Sequence, residues 1–513
     1  MNTKLTASKT NQKIIFILFI SLYFLYNSLH LLDFFYVHSD ETWLIGLSKA
    51  MFENKTFKLT EPFFDLYPRT VHALRLVYVS LLGLFIQFFK SSIYAGRMLS
   101  LISGVLTLFF LKRWLSKKKL FFSFQMIVIA FVALNIQFLM TIHSARQESL
   151  ILLAMILCLN FYDHKHSPFI LSFITGICIS IHPNSFLIFL GILALMIYDG
   201  FKKKTNLKSI LIYFFGVSLW AIFFISLSLL LNKNFIHEYL NYGRSLGVVD
   251  SNITRTQGFY YFYYKIYHQI SGTYFIVNNR VILIVSSLAY LSGFLLLFVK
   301  KDLPDLIRHP FFMVTGINIG LLIIGRYNQT SIIFPLFFFV LLMMGIFNYL
   351  ITAYPKASFL KIVLLIFLVF QLFITRDHII SYAFDTEDYL SNQLDVIPKE
   401  AIILGNINLL TYLEDHEFYD YRNLWHLSGD EALKYISDRH IEYIIWPEEM
   451  SYIYPQERWH ILYGPMAYYP DLKDFLDNQT LLTTFESKTY GMRISRYVNT
   501  YPWKIQIYKV HSY

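Results

Sequence analysis

The stretch IIFILFISLYFLYNSLHLLDFFYVHSDETW, Ile14 to Trp43, decides the fold class. Its first part, Ile14 to Leu32, is a long apolar run without an Asp, Glu, Lys or Arg, close to the ~20 residues that carry a helix across a hydrocarbon core. It lacks the small-residue cleavage site of a secretory signal and reads as a retained span. Directly behind it come His38, Ser39, Asp40 and Glu41, two adjacent carboxylates at membrane height. Trp43, Leu44, Leu47 and Met51 then recur at helical spacing. The pattern predicts a helix from about Asp40 with its apolar face on the bundle.

Working outward, further apolar runs occupy Phe121 to Met140, Ile210 to Leu231, Val281 to Val299 and Ile362 to Ile374. Hydrophobic residues make up 56% of the 513 and charged residues 15%, against roughly 25% charged in a soluble domain. Such a chain needs lipid as solvent, and the fold class is an α-helical polytopic membrane protein. The two cysteines, Cys158 and Cys178, fall inside apolar runs, which excludes a disulfide framework or a Cys-rich zinc site.

The net charge of +10 is unevenly distributed: Arg376 onward carries 12 basic and 21 acidic residues, a balance of −9, which leaves +19 on the first 375. That split points to a membrane body with basic loops and an acidic soluble domain rather than to a nucleic-acid partner. Basic clusters at Lys4 to Lys13, Lys112 to Lys119, Lys202 to Lys208, Lys300 to Arg308 and Lys356 to Lys361 all fall on the cytoplasmic side if the N-terminus is inside. The expectation is a multi-pass protein of the plasma membrane with about eleven spans. Residues 1–375 form the membrane catalytic domain, with a first outer loop at 34–96 and a long outer loop at 232–279. Residues 386–513 form a small extracytoplasmic α/β domain. In it, Ala401 to Leu404, Ile441 to Trp446 and Trp503 to Val510 read as strands and Glu431 to Asp438 as a helix. Val71 to Phe89 is apolar enough to span, yet crossing there would put every later basic cluster on the wrong side. It therefore reads as a helix lying in the outer interface or packed against the bundle.

Sugar transfer from a lipid phosphate needs a base for the acceptor hydroxyl and cations for the departing phosphate, both at the membrane surface. Asp40 is placed for the first task, although an aspartate at a helix start also serves as a simple N-cap. Arginines suit the second, because the guanidinium fork can bond two phosphate oxygens. Arg146 and Glu148 share a short outer turn and could simply pair. His237 and Arg244 precede the tyrosine-rich stretch Tyr260 to Tyr267, which suits an interface belt or sugar stacking.

The segment Ser39-Asp40-Glu41-Thr42 after a first span resembles the Asp-Glu signature of family 39 glycosyltransferases of the GT-C membrane fold. These include the protein O-mannosyltransferases, whose donor is a polyprenyl-phosphate mannose, and the lipid A aminoarabinose transferases. Tyr67-Pro68-Arg69 resembles the Lys-Pro element of the aminoarabinose enzymes. Ala95-Gly96-Arg97-Met98-Leu99-Ser100 resembles the Arg-containing start of the second span. Gly325-Arg326-Tyr327 with Phe334-Pro335 resembles a late Tyr-then-Pro segment at an outer helix start. The likeness is good from His38 to Lys119 and fair around Arg326.

The resemblance implies Asp40 as catalytic carboxylate and Glu41 as a residue that orients or lines the site. Arg97 would pair with the lipid phosphate or with the first outer loop. Arg326, Tyr327 and Arg69 would add donor-phosphate contacts, and Arg146, His237 and Arg244 are candidate substrate ligands. The implied partners are a polyprenyl-phosphate sugar, a glycan, lipid or protein acceptor, and membrane lipids. Some GT-C enzymes use a divalent ion; no dense carboxylate cluster beyond Asp40 and Glu41 calls for one here, and no other cofactor is implied. Two departures bear on the substrate: Trp43 replaces the Arg that follows the pair in the aminoarabinose enzymes, and Tyr67 stands where they carry Lys. The expected activity is an inverting hexosyl or pentosyl transfer outside the cell. The alternatives are a lipid-linked sugar flippase and a membrane polysaccharide polymerase or ligase.

Overall fold

The computed structural model describes residues 9–89, 91–245, 254–270, 276–325, 328–381, 386–456, 463–487 and 503–511. The membrane body contains α1 (Lys9–Leu29), α2 (Ser39–Glu53), α3 (Leu76–Phe88), α4 (Ser92–Lys117), α5 (Phe122–Ala133), α6 (Ile136–Ile142), α7 (Glu148–Phe161) and α8 (Ser167–Ile179). It continues with α9 (Phe186–Phe201), α10 (Leu207–Leu231), α11 (Phe235–Ser245), α12 (Arg255–Tyr267), α13 (Arg280–Val299), α14 (Asp305–Ile324), α15 (Ile333–Ala353) and α16 (Leu360–Ser381).

Among the described residues, eight helices are long and apolar enough to cross a membrane: α1, α4, α9, α10, α13, α14, α15 and α16. The pair α5 and α6, bent by 66°, makes a ninth if it acts as one span. The sequence suggests about eleven, more than the structure shows. Helices α7 and α8 are apolar too but have only 14 and 13 residues, each about 20 Å long at 1.5 Å per residue and short of the core thickness. The outward faces of α1, α10, α13 and α16 are apolar and exposed, as lipid contact requires, whereas α15 is almost wholly enclosed.

The two ends of the bundle differ chemically. At one end three of the basic clusters converge: Lys118 lies 3.1 Å from Asp163 and 2.7 Å from Asp305. Arg308 pairs with Asp199 at 3.1 Å and with Asp305 at 2.8 Å, and Lys204 reaches Asp302. The other end carries α2, α3 and the soluble domain. Helix α3 has 13 residues. Arg75 at its start lies over Trp43, and Ser92, just past its end, bonds Glu414 of the soluble domain. Both ends of α3 therefore lie at the same end of the bundle, and α3 does not cross.

The C-terminal region holds α17 (Glu387–Leu394), β1 (Ile402–Gly405), β2 (Glu417–Asp420), α18 (Gly429–Asp438), β3 (Tyr443–Pro447), α19 (Glu449–Ile453), α20 (Tyr469–Asp477), β4 (Thr480–Ser487) and β5 (Trp503–Lys509). The sheet order is β2-β1-β3-β5-β4. Strands β1 and β2 pair in parallel, as do β1 and β3, while β5 runs antiparallel to β3 and β4. Alternation along β3 divides the cores: Tyr443 and Ile445 join the layer continuous with the membrane body, and Ile444 and Trp446 pack toward α18 and α20. Three of the five strands and α18 coincide with the sequence reading. Strand β2 is too short, at four residues, and β4 carries its apolar residues too irregularly for the pattern to announce either.

Candidate active site at the carboxylate end

Helix α2 begins where the pattern placed it, but its cap is His38. The imidazole accepts the Asp40 N–H at 3.0 Å, and the Glu41 carboxylate closes the box on the His38 N–H at 3.0 Å. Asp40 is thus relieved of capping. Its side chain, 30% exposed, meets Arg146 Nη1 at 2.5 Å.

Glu41 and Arg97 form a separate, closed unit. Both are 1% exposed, with Arg97 Nε 3.1 Å from Glu41 Oε2. Nη1 donates to the Leu31 carbonyl at 3.1 Å, Nη2 to the Phe35 carbonyl at 2.8 Å and to Glu41 Oε1 at 3.3 Å, and Glu41 Oε2 also accepts the Ala145 N–H at 2.7 Å. Of the two roles the resemblance allows Arg97, the geometry displays pairing with the first outer loop. A guanidinium whose bonds run to Glu41, Leu31 and Phe35 inside the protein does not face a ligand. Glu41 lies behind the site rather than lining it, tying α2, α4 and the α6–α7 turn together.

Arg146 bridges two carboxylates. Besides Asp40 it holds Glu148, Nη2 to Oε1 at 3.0 Å, and Glu148 accepts the Thr330 hydroxyl at 2.7 Å. Asn184 reaches Ser331 at 3.4 Å. The turns at 143–148, 182–184 and 328–331 therefore meet beside Asp40.

One turn along α2 from Asp40, Trp43 lines a half-open cavity together with Glu61, Arg69, His72, Arg75 and Tyr239 among others. The guanidinium of Arg69 sits 4.1 Å from the Trp43 ring centroid and that of Arg75 4.4 Å from it, so two cations lie against one indole. Glu61 fixes the arrangement by accepting the Trp43 indole N–H and, at 2.6 Å, the Arg69 backbone N–H. His182 lies in electrostatic reach of Arg75, Glu148, Arg146 and Asp40. Burial first, then Arg75, pushes its pKa down to about 3. His72 falls to about 3 for the same two reasons, with His182 adding to them. Both imidazoles are neutral hydrogen-bonding groups at physiological pH.

Of the other residues singled out in the sequence, His237 is exposed on α11, away from the cavity that its neighbour Tyr239 lines. Arg244 lies on the same helix, and its side chain, like Arg326 and Tyr327, lies outside the described residues. Tyr260, Tyr261, Tyr264 and Tyr267 of α12 are exposed while Phe262 and Ile266 pack inward, the distribution of an interface belt. Glu61, His72, Arg75, His182 and Tyr239 are not among the candidates that the sequence singles out. For Arg75 the signal was present: a lone cation interrupting the apolar stretch Val71 to Phe89. Among the described residues no group of three or more His, Cys, Asp or Glu could hold a metal ion.

No family model matches the sequence, and no curated protein matches it. Solved structures do. The oligosaccharyltransferase of Archaeoglobus fulgidus, tethered to an acceptor peptide, superposes with a TM-score of 0.56 at 11% identity over 92% of this chain and 73% of its own. ArnT from Cupriavidus metallidurans, bound to undecaprenyl phosphate, gives 0.56 at 11% identity over 98% of this chain and 99% of its own. The length of that match, the multi-pass helical body and the small sheet domain above the carboxylate end together establish this chain as a membrane protein of the GT-C glycosyltransferase fold.

Proposed function

We propose that the chain is a membrane glycosyltransferase that takes a sugar, hexose or pentose, from a polyprenyl-phosphate carrier. It places the sugar, with inversion, on an acceptor hydroxyl of a glycan, lipid or protein at the extracytoplasmic face of the plasma membrane. The observation that carries the reading is Asp40: a partly exposed carboxylate, free of capping duty, aimed by Arg146 and set beside a cavity with two further arginines. Asp40 takes the proton of the acceptor hydroxyl. The acceptor oxygen forms its bond to the anomeric carbon as the bond from that carbon to the phosphate oxygen breaks. The electron pair leaves on the polyprenyl phosphate, beside Arg69 and Arg75. ArnT, which shares the fold, is bound to undecaprenyl phosphate in its structure, and this supports a lipid-phosphate donor here. The convergence of lysines at the opposite end favours that end as cytoplasmic, with the N-terminus inside and the soluble domain outside.

The test is Asp40→Asn in the purified full chain, assayed for transfer from a radiolabelled polyprenyl-phosphate sugar. The expected loss is ~10²–10⁴-fold. Activity within about threefold of the wild type, well short of a general base's contribution, removes Asp40 from the role of base.

A further inference from the structure

The turn before α3 holds a histidine whose proton is placed by the backbone. His72 Nδ1 accepts the Leu74 N–H at 3.2 Å, so a lone pair lies there and the neutral ring carries its proton on Nε2. Burial and Arg75 keep the ring neutral. Its setting is rigid. Phe235 and Tyr239 of α11 stand 5.8 Å and 5.5 Å from it, the latter edge-on. The next residue, Ala73, donates to Ser228 Oγ of α10 at 2.9 Å and accepts the Ser180 hydroxyl at 2.6 Å.

The cap by itself points to no ligand, since exposed His164 makes the same bond to the His166 N–H. The position of His72 does. It is 6% exposed and lines the cavity that holds Arg69 and Arg75. Its Nε2 has no hydrogen-bond partner among the described residues, and the atom is not sealed off from water. A ligand in the cavity therefore meets a fixed donor and must bring an acceptor. Two guanidiniums face one carboxylate there, and the Glu61 oxygens already accept the Trp43 indole N–H and the Arg69 backbone N–H. The surplus of positive charge favours an anionic acceptor.

We propose that His72 is a substrate-binding residue that donates its Nε2–H to a phosphate oxygen of the lipid carrier. That the anion is a lipid phosphate rests on the glycosyltransferase reading; that His72 is a locked donor rests on the turn alone. A neutral donor adds no repulsion to the two arginines, as a third cation would. When the bond to the sugar breaks, the phosphate gains negative charge, and a donor already in place stabilises it without reorienting. His72 therefore holds the departing lipid phosphate more tightly than the sugar-loaded one.

Two substitutions divide the two edges of the ring. Asparagine sets Oδ1 where Nδ1 was and keeps the cap, a place it fills well, but has nothing at Nε2. Glutamine reaches the Nε2 position with an amide N–H and loses the cap. Binding of radiolabelled undecaprenyl phosphate to the purified full chain is measured, with undecaprenol as the same chain without the phosphate. His72→Asn weakens undecaprenyl phosphate at least about tenfold, the scale of one hydrogen bond to a charged group, with undecaprenol binding and melting temperature unchanged. His72→Gln binds within about threefold of the wild type, less than such a bond contributes, even where it melts lower. The proposal is overturned if His72→Asn binds undecaprenyl phosphate like the wild type, if His72→Gln loses as much as His72→Asn, or if undecaprenol affinity falls in step; each arm decides without the other. A wild-type chain that transfers no sugar yet binds undecaprenyl phosphate through His72 sinks the glycosyltransferase reading and leaves His72 a phosphate ligand. Full binding and transfer by His72→Asn does the reverse.

Discussion

Arg146 Nη1 lies 2.5 Å from Asp40 Oδ2, and the same guanidinium holds Glu148, so the carboxylate at the start of α2 is aimed from the start of α7. The planar fork fixes the direction of both bonds at once, Nη1 to Asp40 and Nη2 to Glu148. Arg146→Lys keeps the cation but loses the fork, so transfer is expected to fall by ~10²-fold, the scale of a misplaced base, with little change in melting temperature. Arg146→Ala leaves Glu148, 3% exposed, without its cation and is expected to cost ~3–5 kcal/mol of stability. Thermal unfolding alongside the transfer assay separates the two variants; equal activity of Arg146→Lys and wild type would refute the aiming role.

The neighbouring pair predicts the opposite phenotype. Glu41 and Arg97 are sealed from solvent and bonded to backbone, so Glu41→Ala or Arg97→Ala leaves an uncompensated buried charge. Each is expected to lose ~3–5 kcal/mol, seen as a lower melting temperature and poor recovery from the membrane. Whatever folded protein remains retains normal affinity for the lipid donor. A stable Arg97→Ala with selectively weakened donor binding would restore Arg97 to the phosphate.

These adjacent carboxylates show how far the sequence carries. That Asp40 and Glu41 sit at a helix start after a span is legible from apolar run and period alone. That one stays partly exposed beside Arg146 and the other meets a buried arginine is not, since it depends on α4 and the α6–α7 turn arriving more than 50 residues later. Arg97 shows the same limit: a guanidinium near the end of a span reads alike whether it meets a phosphate or a carbonyl. The lipid-facing runs were plain because one solvent selects them, whereas α7 and α8, wedged against other helices, need less length and less hydrophobicity. His72, Glu61 and Tyr239 carry no local pattern, and only the return of α11 to the segment between α2 and α3 gives them a common cavity.

The two imidazoles of that region make stability acid-sensitive. Burial and Arg75 hold His72 and His182 near about 3 in the folded state, against an ordinary value of about 6.5 when unfolded. The unfolded chain binds more protons between those limits, so their contribution falls as pH drops from about 6.5 toward about 3 and is constant above 6.5. His182→Gln is expected to flatten part of the decline in melting temperature between pH 6.5 and pH 4 and to leave the pH 7–8 plateau level. An unchanged acid slope in this variant and in His72→Gln would refute the assignment.

The soluble domain reaches the site through Arg422. Its guanidinium lies 5.1 Å from the Phe64 ring and 4.6 Å from Trp425, and Nε donates to the Tyr67 carbonyl at 3.0 Å. Phe64 in turn carries Arg69 at 5.3 Å. Arg422→Ala removes the prop of the segment that presents Arg69 and is expected to raise the donor KM several-fold, in line with about 1 kcal/mol for one cation–π contact. Arg439→Ala, which breaks a partly exposed pair with Asp65, should change it by less than about twofold.

The crossing of α9 and α14 sets a last test. Helices α9 and α14 meet at Gly191, Gly316 and Gly320, the latter two spaced as small-x-x-x-small along α14. A Cβ on Gly316 would stand 2.2 Å from the Leu190 carbonyl oxygen and 2.6 Å from the Gly191 Cα. These are backbone atoms of α9 that no rotamer change can move. At Gly320 the nearest obstacle is instead the Leu187 side chain, at 2.7 Å, which can turn aside. Gly316→Ala must therefore part the two helices while Gly320→Ala need only displace a methyl group. The expected order of melting temperature is wild type, then Gly320→Ala, then Gly316→Ala well below both. The reverse order would show that α9 and α14 are not in backbone contact at this crossing.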